Sequence, residues 1–119
     1  MRDQEVTMAA SFAVSTEQIG RVHRVTPSGD LDIATLPQLE VEFDAVSADP
    51  GLMIVLDLTE LTFMDSSGLH LLLRLSERFP QRLRVINGSA SVERLLDLTG
   101  ARDRLPIISK TTDPLAPLQ

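Results

Sequence analysis

Two hydrophobic periods alternate along this chain, and each change of period marks an element boundary. Arg21-Val22-His23-Arg24-Val25-Thr26 alternates as a half-buried strand does, and Ser11 to Thr16 alternates more weakly ahead of it. With Glu17-Gln18-Ile19-Gly20 as the turn between them, the two runs predict an opening hairpin that Pro27-Ser28-Gly29-Asp30 brings to an end. Leu36, Leu39, Phe43 and Val46 then share one helical stripe in a helix beginning near Thr35, with Pro37 in the first turn, where its missing N–H costs nothing. Asp49-Pro50-Gly51 stops that helix. Leu52 to Leu56 is an unbroken apolar run bounded by turn residues, the pattern of a central strand covered on both faces.

From Leu58 the chain passes from strand through loop to helix around Asp65-Ser66-Ser67-Gly68. The helix predicted from about Ser66 to Arg78 ends before Pro80, and Leu69, Leu71, Leu72, Leu73 and Leu75 cover more than one of its faces. Such breadth means burial on two sides or an apolar strip left for a partner, and burial is the general rule. Leu83 to Asn87 predicts another strand, Gly88-Ser89-Ala90-Ser91 a turn and cap, and Val92, Leu95, Leu96 and Thr99 a third helix closed by Gly100. Leu105 to Ser109 can form a last strand, which Pro106 assigns to an edge.

The order β-β-α-β-α-β-α-β places the chain in the α/β class: about five strands in a mixed, mostly parallel sheet with helices packed against it. We expect a single domain over residues 1–119, with its core at 12–109 and an irregular stretch at 1–10. Pro114 and Pro117 limit the tail at 111–119 to a turn of helix.

Composition narrows the function. The 119 residues contain no cysteine, which excludes disulfides, thiolate metal sites and cysteine nucleophiles and fits a reducing compartment. A net charge of −6 and a pI near 4.7 oppose nucleic-acid backbones and anionic lipid. Aromatics at 3%, with no Trp or Tyr, leave almost nothing on which bases could stack. The opening Met1-Arg2-Asp3-Gln4-Glu5-Val6 lacks the features of a signal peptide, and no apolar run approaches the roughly 18 residues that span a bilayer. A cytoplasmic chain with a protein partner is expected, neither binding nucleic acid nor inserting into a membrane.

The strand-to-helix junction carries the candidate chemistry. A helix N-terminus presents unpaired N–H groups and about half a positive charge, so Ser66 is a place where a phosphate can be added. Taken alone, capping of the helix by Asp65 or Ser66 is the favoured reading. Asp30 and Asp32, before the first helix, read alone as a turn and an N-terminal acid favoured by the helix dipole.

Enzyme readings are weaker. His23 and His70 match no metal-ligand pattern, so no metal and no cofactor is expected. His70 lies one helical turn after Ser66, which invites a Ser66/His70 hydrolase, yet there is no nucleophile elbow and no evident third group. Asp57, at a strand end with Lys110 as ion-pair partner, resembles the phosphoacceptor of response-regulator receivers, but the first strand is not followed by their paired acids.

Three segments together are more specific. Gly29-Asp30-Leu31-Asp32-Ile33-Ala34-Thr35, Phe63-Met64-Asp65-Ser66-Ser67-Gly68-Leu69 and Ser91-Val92-Glu93-Arg94-Leu95-Leu96-Asp97-Leu98-Thr99-Gly100 resemble, in order and spacing, the STAS domain of bacterial anti-sigma factor antagonists. The resemblance covers Phe12 to Ser109.

It implies a non-enzymatic binding module. The unphosphorylated antagonist binds an anti-sigma factor that is also a serine kinase, and so releases a sigma factor. Phosphorylation by that kinase ends the association, and a PP2C-type phosphatase restores it. Carried over by position, Ser66 is the phosphoacceptor and Ser67 its structural neighbour, with Asp30, Asp32, Asp65 and Gly68 on the same partner-binding surface.

The family's final helix is missing or reduced to the proline-containing tail, so the expected state is a monomer or weak dimer. A stressosome scaffold component, or a partner of a lipid-transport ATPase, is the alternative within the fold.

Overall fold

The computed structural model describes residues 12–118; the stretch expected to be irregular at 1–10, together with Ser11 and Gln119, lies outside them. In chain order the elements are β1 (Phe12–Ile19), β2 (Val22–Leu31), α1 (Leu36–Val46), β3 (Met53–Asp57), β4 (Leu61–Met64), α2 (Ser66–Arg78), β5 (Leu83–Ile86), α3 (Ala90–Thr99), a 3-10 turn (Ala101–Arg104) and β6 (Ile107–Ile108).

The hairpin forms as expected, with its turn displaced. Ile19 stands opposite Val22, so the turn is Gly20-Arg21 and not Glu17 to Gly20. Glu17 instead faces Arg24 across the ladder, a pair of opposite charges that favours continuing the strand.

β2 also runs on through Pro27, where the sequence had ended it. A two-residue hairpin makes Ile19 and Val22 a hydrogen-bonded pair, and strict alternation then leaves Val14 and Pro27 a non-bonded one. The missing N–H of Pro27 is therefore turned toward β2's other neighbours. There it falls between Val22–Val25, which pair with β3, and Gly29–Leu31, which pair with β4. No ladder bond is lost. Gly29, at φ 97°, takes the backbone through the register shift that separates those two segments.

The sheet has six strands, ordered β1-β2-β3-β5-β6 with β4 beside β2. Every pairing is parallel except β1 with β2. This is the expected mixed α/β sheet with one strand more: β4 had been read as loop.

β3 is central and covered on both faces. Ile54 and Leu56 enter the main core, whereas Val55 joins a smaller cluster with Ile86 and Ile108 on the other side. The helices all contribute to the main core, through Leu39, Phe43 and Val46 of α1, Leu72 and Leu75 of α2, and Val92 and Leu96 of α3. Breadth of the α2 leucines thus reflects burial: Leu69, Leu71, Leu72 and Leu75 are all enclosed. β6 pairs with β5 alone, the edge position that Pro106 requires. No helix among the described residues is long and apolar enough to cross a membrane.

Candidate functional site

β4 brings the first two sequence motifs together. Leu31 and Met64 are register partners in the parallel β2/β4 pair, and the Asp65 N–H donates to the Leu31 carbonyl at 3.3 Å. The loop leading to α1 and the loop leading to α2 therefore leave the sheet side by side, at the carboxyl ends of their strands, where open α/β sheets place their sites.

Asp65 is the N-cap of α2. Its Oδ1 accepts from the Ser67 N–H at 2.9 Å, the Gly68 N–H at 3.2 Å and the Ser67 hydroxyl at 2.6 Å. The Ser67 hydroxyl is the largest influence on this carboxyl; with the N–H groups of Gly68 and Ser67 it outweighs partial burial and holds the group below the usual carboxylate range. Capping therefore belongs to Asp65 and not to Ser66. Two of the orphan N–H groups that could have received an outside anion, those of Ser67 and Gly68, are already bonded to it.

Ser66, the first residue of α2, is exposed, and among the described residues no hydrogen bond engages its hydroxyl. The two serines are thus differently employed: Ser67 is half-buried and tied to the cap, while Ser66 presents a free Oγ to solvent.

Gly68 was expected on the partner surface. It is buried, and a Cβ there would stand 2.7 Å from Met64 Cγ and 3.1 Å from Leu31. Its absent side chain lets α2 seat against β2 and β4, so it supports the site from beneath.

Asp32 organises the approach to α1. Its Oδ1 accepts from the N–H groups of Ala34 at 3.0 Å and Thr35 at 3.2 Å, while Thr35 Oγ1 donates to the Asp30 carbonyl at 2.9 Å. Asp30 is exposed, and its Oδ1 accepts from Thr62 Oγ1 at 2.7 Å. Thr62 also receives Ser91 Oγ on its carbonyl at 3.1 Å, which attaches the start of α3 to the same rim. Asp30, Asp32, Asp65, Ser66 and Ser67 therefore surround one end of the β2/β4 pair.

The other candidates lie elsewhere or lack partners. Asp57 is buried, and it bonds Arg24 and not Lys110, which is exposed. Burial alone would raise its carboxyl, but the Thr59 hydroxyl and N–H and the Arg24 guanidinium outweigh it and leave the group lowered. An enclosed, fully bonded carboxylate is a structural ion pair, which corrects the receiver reading. His70 is exposed, and among the described residues no hydrogen bond orients its ring toward Ser66.

Sequence reasoning did not single out Thr62, Phe63, Ile33 or Arg24. The first two belong to β4, whose four residues are too few to show a period.

Comparison with known proteins bears on this arrangement. The sequence matches the STAS domain family over residues 13–113. An anti-sigma-B factor antagonist of Staphylococcus aureus is 27% identical over 97 residues, covering 79% of this chain and 90% of that protein. Among solved structures, an anti-sigma factor antagonist from Mycobacterium paratuberculosis is 30% identical with a TM-score of 0.76, over 88% of this chain and 92% of that one. SpoIIAA in its unphosphorylated form shares the fold at 21% identity and TM-score 0.67, over 82% of this chain and 90% of that one. The Bacillus SpoIIAA in its phosphorylated form does so at 20% and 0.62, over 82% and 93%.

Proposed function

The chain belongs to the STAS domain family, and from that premise we propose that it is an anti-sigma factor antagonist switched by phosphorylation of Ser66. Unphosphorylated, it binds an anti-sigma factor with serine kinase activity and so releases a sigma factor. The observation that carries the reading is the exposed Ser66 hydroxyl beside a neighbour, Asp65, that already occupies the helix N-terminus.

The chemistry asks little of this chain. In the kinase, the Ser66 oxygen forms a bond to the γ-phosphorus of ATP as the bond to the ADP oxygen breaks, and the hydroxyl proton passes to the kinase's base. Ser66 contributes an accessible oxygen on a rigid helix start.

The switch follows from what the phosphate meets. It brings about −1.5 to −2 charges to a residue adjoining an ionised Asp65, on a chain already at −6. Like charges about 4 Å apart cost roughly 1 kcal/mol in water and about 4 at an effective dielectric of 20. Two of the backbone donors that could have neutralised the phosphate, the N–H groups of Ser67 and Gly68, are bonded to Asp65, so docking would desolvate two adjacent anions. Since each 1.4 kcal/mol is tenfold in affinity, association ends. A PP2C-type phosphatase reverses it, and the site of action is the cytoplasm.

The test is phosphorylation by an anti-sigma kinase of the same organism. The protein should gain one phosphate by mass spectrometry, Ser66→Ala should gain none, and a PP2C-type phosphatase should restore binding. A phosphate retained in Ser66→Ala overturns the assignment.

A further inference from the structure

Three of the chain's four phenylalanines are buried: Phe12 at 5%, Phe43 at 0% and Phe79 at 3% exposure. Phe63, on β4, is 47% exposed, and Ile33, in the turn before α1, is 76% exposed. Both flank Ser66. Phe63 lies two residues before the cap, and Ile33 lies two residues after Leu31, whose carbonyl receives the Asp65 N–H.

Polar bonds hold these apolar side chains in fixed backbone. Ile33 follows Asp32, whose carboxylate ties down the N–H groups of Ala34 and Thr35. Phe63 follows Thr62, which is bonded to Asp30 through its hydroxyl and to Ser91 through its carbonyl. A partner gains most from anchors that need not be ordered on binding, and aromatic anchors at a patch centre carry a large share of interface energy. Charge is set beside them: Asp30 is the register partner of Phe63 across neighbouring strands, which run about 4.8 Å apart. An arginine can stack on a phenyl ring while its guanidinium reaches such a carboxylate.

We propose that Phe63 and Ile33 are the apolar anchors by which the anti-sigma factor docks, with Asp30 receiving a basic group next to Phe63. The inference rests on the function proposed above, and it specifies the partner face as an apolar recess beside an arginine or lysine. Ser66 follows Phe63 by three residues, and Ile33 lies on the loop that leaves the neighbouring strand, so a partner seated on this rim also meets the hydroxyl.

The experiment is titration calorimetry of the full chain against the anti-sigma kinase that phosphorylates it. Phe63→Ser and Ile33→Ser should each weaken binding about tenfold or more while leaving thermal unfolding unchanged, because neither side chain is in the core. Phe63→Tyr should bind as the wild type. Leu98→Ser is the control: Leu98 is 75% exposed but lies seven residues, about 10 Å, along α3 from Ser91, and its replacement should change nothing. Wild-type affinity in both serine variants overturns the anchors and leaves the function standing. Failure of the wild-type chain to bind any anti-sigma factor overturns the function, and the anchors with it.

Discussion

The guanidinium of Arg24 bonds the carboxylate of Asp57, whose side chain is 3% exposed at the end of the central strand. Thr59 adds its N–H at 2.9 Å and its hydroxyl at 2.6 Å to the same group. Truncating the cation leaves an enclosed anion with Thr59 alone, and for fully buried pairs such a loss costs about 3–5 kcal/mol. Arg24 is 34% exposed, so water replaces part of what it supplied, and we expect Arg24→Met to cost about 2 kcal/mol in urea unfolding. An unchanged midpoint would show that Thr59 suffices.

Stability should fall in acid, with a defined sign. Asp57 and Asp65 both have folded-state carboxyls lowered below the ordinary range, so each contributes stability that is complete above the unfolded value of about 3.9. As pH drops through the folded values, the unfolded chain binds more protons than the native one and the contribution is lost. The urea midpoint should be level from about pH 7 to 5 and decline below about pH 4, less steeply in Asp65→Asn. A midpoint that rose on acidification would contradict both assignments.

Two glycines should respond differently to a methyl group. At Gly88 an added Cβ stands 2.5 Å from the carbonyl oxygen of Leu58, backbone that can move only with the loop between β3 and β4. Gly88→Ala should cost about 1–3 kcal/mol. At Gly68 the closest atoms are Met64 Cγ at 2.7 Å and Leu31 at 3.1 Å, side chains that are buried but can shift more readily than backbone, and alanine regains about 1 kcal/mol of helix propensity. Gly68→Ala should therefore also destabilise, by about 1 kcal/mol after that gain and less than Gly88→Ala, and a larger loss there than at Gly88 would mean that Met64 and Leu31 cannot turn aside.

How far these features can be read from the sequence depends on their length and range. The long, strongly patterned elements are legible: the Leu36 to Val46 stripe, the Leu52 to Leu56 run, and the α2 helix from Ser66 to Arg78. β4 is not, because Leu61-Thr62-Phe63-Met64 has both core residues at its ends and shows neither alternation nor a continuous apolar run. That loss matters for the site, since only the pairing of β4 with β2 reveals that Asp32 and Asp65 head neighbouring loops. The extension of β2 through Pro27 is hidden for a similar reason: a proline ends a strand unless its N–H side falls in a gap between partners, and the gap is set by strands distant in sequence. Asp57 is visible as a residue, but its partner Arg24 is 33 positions away on another strand, so the pairing was assigned to Lys110.

Ser66 and Ser67 adjoin in sequence, yet they should separate cleanly under substitution. Ser67 Oγ donates 2.6 Å to an ionised carboxylate, and a bond of that kind is worth about 1.5–3 kcal/mol when enclosed. Here the site is half-open and Asp65 keeps its two N–H donors, so Ser67→Ala should lose about 1 kcal/mol. Ser66 has an exposed hydroxyl, and Ser66→Ala should stay within about 0.5 kcal/mol of wild type. Ser66→Asp should also remain folded, because attraction to the helix N-terminus offsets repulsion from Asp65, each on the order of 1 kcal/mol. In binding the order reverses: Ser66→Asp should lose the anti-sigma factor, whereas Ser67→Ala should retain it wherever the chain is folded. Paired urea unfolding and calorimetry on the three variants checks both halves. If Ser66→Ala proved the less stable alanine variant, Ser66 would be the structural serine and the phosphoacceptor would have to be sought at Ser67.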